Sequence, residues 1–321
     1  MTVDLSSLNS SSRVLFKIPL QPIQGERFQP TGFPALGAAT FQTNEGTNLL
    51  VESAQSMANR LELTIWDAGN ENIVPNLTGL SHVRVTRGDT LLTDTILESH
   101  RINSPYVLEG KDKTFFNLLR DEVGVMETGP IDRRKLASAL LRFDVNSLLH
   151  GVFLAKKELA GGRLRIARAL SAFIEAEGVR VAASGGVKND HVNPSGDTKS
   201  GFGNVPFARD EYTADSITLY VNLDLAQIRG YGLGQPVERL LILIALYKLR
   251  ALTADGLRLR TACDFEVIDQ GIEASRPDGW KLPQLEQLTD SLKSSISECQ
   301  QLMEVKTVVF DDELKKGKSE D

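Results

Sequence analysis

The chain has 321 residues, 41% of them hydrophobic, which suffices to bury a core of ordinary size as one large domain or two small ones. No run of about 18 apolar residues occurs and the first dozen residues are serine-rich, so neither a membrane span nor a secretory signal is expected and a cytoplasmic location is. The two cysteines, Cys263 and Cys299, lie too far apart for a metal-ligand spacing or a disulfide framework, and a net charge of −6 argues against a surface that is basic throughout.

Residues 1–12 are expected to be flexible. Arg13–Leu20 alternates apolar and polar side chains, with Pro19 near its end, and reads as a first strand. Gln21–Ala39 holds three prolines and three glycines, so it is neither an ordinary helix nor a central strand. A helix follows over Ser53–Trp66: Ala54, Met57, Ala58, Leu61 and Ile65 form a stripe at the 3.6-residue period, and Ser53 suits the N-cap. Asp67–Gly129 mixes short strand-like runs such as His82–Thr86 with turns and one short helix near Thr114–Arg120, and reads as an insertion. A helix over Asp132–Leu141, a buried strand over Ser147–Leu154 and an amphipathic helix over Arg163–Glu177 come next.

Strands are expected at Gly178–Ala183 and Ser216–Leu223. The 33 residues Ala183–Asp215 between them hold five glycines and two prolines, too long a stretch for an ordinary loop, and read as a protruding hairpin. Val237–Leu252 is apolar nearly all round and so a buried helix, followed by a strand over Leu257–Ile268, a last helix over Leu285–Met303 and a charged tail, 311–321, expected to be disordered. Stripped of insertions, the order is strand, helix, strand, strand, helix, strand, with either the Ser147 or the Gly178 run as the second strand. That is the split βαβ pattern of an α+β, ferredoxin-like fold, which RNA-recognition domains share with many unrelated functions.

Charge is unevenly spread. Between Pro130 and Leu170, Arg133, Arg134, Lys135, Arg142, Lys156, Lys157, Arg163, Arg165 and Arg168 face only Asp132, Asp144 and Glu158, which gives a strongly positive region or, on the plainer reading, a solvated charged face. On a helix, Arg165 and Arg168 would share one side. The loop Gln24–Pro34 leads to Val51–Arg60, where polar donors gather at a helix N-terminus. Backbone N–H groups and the positive end of the helix dipole make such a terminus receptive to anions, and Ser53, Gln55 and Ser56 add donors for phosphate or ribose, with Asn59 and Arg60 one turn on. The plainer reading here is a capped helix with exposed polar residues.

Leu49–Glu62, behind Gln24–Pro34, resembles the backbone subunit of the type I-G (formerly I-U) CRISPR Cascade complex, a RAMP-superfamily protein. The likeness continues through Leu148–Phe153, Gly162–Ser171 and Ile217–Asp224 and reaches to about Ile268. It implies an RNA-recognition-like palm (residues 13–66, 131–182 and 216–310), a finger-type insertion (67–130) and a thumb hairpin (183–215). The implied protein is no enzyme and needs no cofactor. It binds CRISPR guide RNA, associates with copies of itself head to tail along that RNA, and presents it to a target DNA strand. Further implied partners are a fused processing and cap subunit, a large subunit and, transiently, a helicase-nuclease. The palm residues carried over by the resemblance are Gln24, Arg27, Phe28, Ser53, Gln55, Ser56, Asn59 and Arg60; Lys188, Asn189, His191 and Lys199 fall in the thumb, and Arg163, Arg165 and Arg168 complete the RNA-binding set.

Other motifs weigh less. His150 lies in an apolar run and reads as a packed or hydrogen-bonded core histidine. Gly230–Gly234 has G-x-G-x-G spacing without a cleanly ended strand before it, which suits a tight turn or subunit contact better than the dinucleotide loop of a metabolic enzyme. Related type III backbone subunits cleave target RNA with an aspartate in the loop after the first strand; here that loop offers Glu26 instead, so such cleavage is the alternative and not the expectation. Phe16 is the first strand's only aromatic, so RNA contact is expected to rest on the sugar-phosphate chain more than on base stacking, leaving base edges free to pair.

Overall fold

A computed structural model describes residues 3–33, 37–124, 128–254 and 257–312. Strand β1 (Arg13–Pro22) buries Val14, Phe16, Ile18 and Leu20 and turns the intervening side chains outward, as a sheet with one buried face requires. β2 (Thr40–Thr43) and β3 (Gly46–Glu52) pair as a hairpin, and Ser53 then caps α1 (Ala54–Leu63) by accepting the Ser56 N–H at 3.3 Å. Residues 67–130 contain β4 (His82–Arg87), β5 (Thr90–Asp94) and α2 (Thr114–Val123), and α3 (Arg133–Phe143) follows, capped by Asp132.

Two expectations from the sequence are corrected here. Ser147–Leu154 is not one strand: α4 (Val145–His150) is buried on every side and β6 (Val152–Leu154) follows it. A continuous apolar run carries no period that could distinguish the two. Nor is Arg163–Glu177 a helix. It forms β7 (Leu164–Ile166), paired with β6, and β8 (Leu170–Glu177), in which Leu170, Ala172, Ile174 and Ala176 are buried in alternation. β8 is hydrogen-bonded along both edges, so strand pairing overrides the helical propensity of its alanines, leucine and glutamates.

The hairpin expected from the glycine-rich stretch is present as β9 (Arg180–Lys188) and β10 (Val205–Thr213), paired over nine residues each. β11 (Ser216–Asp224), α5 (Leu225–Gly230) and the buried α6 (Gln235–Ala254) come next. The last expected strand is itself a hairpin, β12 (Leu257–Arg260) and β13 (Cys263–Val267), followed by β14 (Glu273–Arg276), β15 (Asp278–Lys281), α7 (Leu285–Cys299) and β16 (Val305–Val309). β16 returns to β4 and pairs parallel with it.

The main sheet runs β12-β13-β1-β11-β8-β3-β2, with β14 and β15 attached beside β1. β1 is antiparallel to both β13 and β11, and β8 is antiparallel to β11. The buried face of these strands joins α1, α6 and α7 in one hydrophobic core, giving an α+β fold with helices on a largely antiparallel sheet. Residues 3–12 are not loose, as the sequence suggested: Val3, Leu5 and Leu8 are buried, Val3 N–H donates to Ser291 Oγ at 2.8 Å, and Arg239 donates to the Val3 carbonyl at 2.8 Å. Most of the expected disordered tail lies outside the described residues; Asp312, within them, pairs with Lys111 at 3.3 Å. No helix among the described residues is long and apolar enough to cross a membrane.

Candidate functional site

Elements distant in sequence converge on an open cleft of about 1330 Å³. Its walls come from Gln55 in the first turn of α1, Ser99–Asn103, the start of α3, the β6–β7 hairpin, and the junction of β11 with α5. Five arginines line it, Arg101, Arg133, Arg163, Arg165 and Arg168. Among the described residues the one carboxylate in the lining is Asp224, which is already engaged by Arg13 at 3.0 Å and by the Gln227 N–H.

The β6–β7 hairpin supplies most of the charge. In its register Phe153 stands opposite Arg165, and both point outward, Phe153 53% exposed. Gly151 makes the hairpin's approach feasible: its φ is +79° and a Cβ there would lie 2.9 Å from the Ile166 carbonyl oxygen. Arg163 donates to the Gly129 carbonyl at 2.7 Å. Arg165 and Arg168 are exposed and make no ion pair or side-chain hydrogen bond among the described residues. Partial burial and the charge of Arg101 push Arg168 below its ordinary pKa, the mark of a cluster short of negative charge.

Beneath the cleft lies a buried polar network. Arg101 donates to Glu62 through Nε at 2.6 Å and Nη2 at 2.7 Å, and through Nη1 to the Gly151 carbonyl at 3.2 Å. Lys248, fully buried, donates to Asn146 Oδ1 and lies 2.9 Å from His150 Nε2. Burial pushes Lys248 down to about 7 and holds His150 well below its ordinary value. Above pH 7 the unfolded chain therefore binds a proton at Lys248 that the folded chain has released, so stability rises with pH from about 7 towards the ordinary lysine value. The expected contribution is about 1.4 kcal/mol per pH unit, read as a rise in denaturation midpoint between pH 8 and 9 that Lys248→Met abolishes.

Of the residues singled out in the sequence, Gln55, Arg163, Arg165 and Arg168 meet in this cleft. Ser53 spends its hydroxyl on the helix cap, while Ser56 is half-buried and Asn59 exposed on the same helix. Gln24 is exposed, and Arg27 reaches Glu211 at 3.3 Å at the base of the β9–β10 hairpin. Lys188, Asn189, His191 and Lys199 are exposed at that hairpin's far end. Two assignments are corrected. Phe28 is 1% exposed, exchanges backbone hydrogen bonds with Tyr212 and packs edge-on against Phe265 at 5.5 Å, so it is a core residue. Arg60 is a strut between α1 and β12, donating to Glu52 at 3.0 Å and to the Arg258 and Leu259 carbonyls at 3.2 and 2.6 Å.

Sequence reasoning passed over Arg101, Phe153 and the outward stack of Phe173 on Tyr220, whose rings lie 5.1 Å apart at 19° on the sheet's unburied face. Gly161-Gly162 between two short alternating runs was the available signal for the β6–β7 hairpin. Among the described residues no group of three or more His, Cys, Asp or Glu side chains is placed to hold a metal ion.

A search of curated proteins finds no match. A solved structure described as "CRISPR RNA-guided surveillance complex, pre-nicking" is similar at 13% identity, over 75% of this chain and 71% of that chain, with a TM-score of 0.38. The sequence profile described as CRISPR-associated protein GSU0053 (Cas_GSU0053) matches residues 14–181, more than half of the chain and inclusive of β1, α1 and the β6–β7 hairpin, and the chain therefore belongs to that CRISPR-associated family.

Proposed function

We propose that this protein is a guide-RNA-binding backbone subunit, without catalytic activity of its own, that oligomerises along CRISPR RNA in a type I surveillance complex and holds it for pairing with target DNA. The observation that carries this reading is the arginine-lined cleft: the exposed guanidinium groups of Arg165 and Arg168, an exposed phenylalanine and a helix N-terminus face one open space, in a chain whose net charge is −6. Guanidinium groups suit phosphates of any sequence, and an aromatic face tolerates any base. Membership of a CRISPR-associated family makes a guide RNA the natural ligand.

The strand order β13-β1-β11-β8, with α1 and α6 in the two crossovers, supports an RNA-recognition-like palm. The insertion carrying β4 and β5 would then be the finger and the β9–β10 hairpin the thumb. Head-to-tail association is a heterologous contact, which builds an open helix whose length the RNA sets. The thumb suits such a contact, since Val187, Val192, Phe202 and Phe207 are all at least half exposed on it. Replacing Phe202 and Phe207 by serine should leave folding stability within about 0.5 kcal/mol, because neither side chain touches the core, while abolishing higher oligomers in sedimentation. Unaltered assembly would remove the hairpin from the interface.

Expression with a CRISPR array and nuclease treatment of the purified protein tests the function itself. Recovery of protected RNA of guide length with several copies of the chain is expected. A nucleic-acid-free monomer at low salt refutes the proposal.

A further inference from the structure

One group on the floor of the cleft lacks a partner. His150 lines the cleft and is 1% exposed, and its buried Nδ1 has no hydrogen-bond partner among the described residues. Its other ring nitrogen faces Lys248. Below about pH 7 Lys248 is an ammonium, with donors and no acceptor, so Nε2 must accept and the ring proton resides on Nδ1. Burial and the positive charges of Lys248, Arg101 and Arg168 keep the ring neutral. The result is a buried N–H donor, its tautomer fixed from behind by a lysine, beside five arginines and short of an acceptor. Buried donors are nearly always paired, and one left unpaired beside an open cleft marks a place where a ligand supplies the acceptor.

We propose that the His150 Nδ1–H binds a phosphate oxygen of the RNA backbone, an inference that rests on the cleft being the guide-RNA site. Charge selects phosphate over a ribose hydroxyl or a base edge: the surroundings are net positive, and an anionic oxygen is the strongest acceptor available to a neutral N–H. The division of labour is physical. Arg165 and Arg168 attract the chain over distance, whereas a neutral, buried donor acts only on contact and sets the register of one phosphate.

Two isosteric replacements separate the ring's two nitrogens. His150→Gln places an amide near the Nε2 position, keeping an acceptor for Lys248 while deleting the Nδ1 donor; His150→Asn does the reverse. With the whole chain and a single-stranded RNA of guide length, at a pH below 7 where Lys248 keeps its proton, H150Q is expected to bind about tenfold or more weakly, as for a lost hydrogen bond to a charged group. Its salt dependence should match wild type, because no counterion-releasing charge is removed. H150N, which restores a donor near the Nδ1 position, should recover most of the affinity that H150Q loses. A single-stranded DNA of the same sequence should suffer the same H150Q loss; a loss confined to RNA would overturn phosphate in favour of the 2′-hydroxyl. Ring nitrogen NMR of the wild-type protein is independent of any folding defect in the variants: the His150 Nδ1–H signal should shift on adding RNA. An unmoved signal, or H150Q binding at full strength, overturns the proposal. If H150Q binds normally while Arg165→Ala with Arg168→Ala loses RNA, only the role of His150 fails; if both variants bind normally, the cleft itself is not the RNA site.

Discussion

Alanine at both Arg165 and Arg168 is expected to weaken guide-RNA binding by roughly 10- to 100-fold near physiological salt, the largest functional loss available from two surface substitutions here. Both guanidinium groups are exposed and make no ion pair or side-chain hydrogen bond among the described residues, so folding has no other use for them. Stability should stay within about 0.5 kcal/mol of wild type, or rise slightly as repulsion from Arg101 is relieved. The diagnostic readout is the slope of log affinity against log salt, which should fall by about 1.4 for two lost contacts to a single strand. Lysine at both positions keeps the charge and hence the slope but loses the planar fork that grips two phosphate oxygens, so affinity should fall only in part. Binding and slope both unchanged would place the RNA elsewhere.

This prediction could be framed only after the fold was known, and the reason is physical. The sequence placed Arg163, Arg165 and Arg168 in a basic stretch and read that stretch as a helix, because Leu164, Ala169, Ala172 and Ala176 also satisfy a helical spacing and the residue types favour it. Only pairing with β3 and β11, remote in sequence, makes β8 a strand, and only the β6–β7 hairpin sets Arg165 across from Phe153. Elements whose pattern was unambiguous, β1, α1, α6 and the glycine-rich hairpin, were legible because alternation, capping or composition allowed one answer each. Gln55 was legible as a helix N-terminal donor. Phe28 and Arg60 looked equally suited to RNA, yet a side chain's type does not reveal whether a carbonyl or another ring already occupies it. Arg60 is spent on Leu259 and Arg258, Phe28 on Phe265.

The same distinction between free and occupied cations governs the largest expected effect on stability, at Arg101. This arginine lines the cleft, but the residue is only 5% exposed and its guanidinium is bound twice to Glu62, which is itself 1% exposed. Burial raises the Glu62 pKa even against the charge of Arg101, so the pair is costly to hold as well as costly to break. Glu62→Ala strands a buried guanidinium and is expected to cost about 3–5 kcal/mol, a large part of a typical total near 5–15 kcal/mol. Urea denaturation measures this directly. If the loss comes from the stranded charge, the double variant Glu62→Leu with Arg101→Met should recover most of the stability, since apolar residues of similar size fill the same space without a charge to solvate. It should still bind RNA less tightly, because Arg101 also fastens the Gly151 carbonyl and with it the start of the β6–β7 hairpin. Recovery of stability without recovery of affinity would show that Arg101 holds the cleft in shape from behind. Recovery of both would reduce it to a core residue with no part in binding.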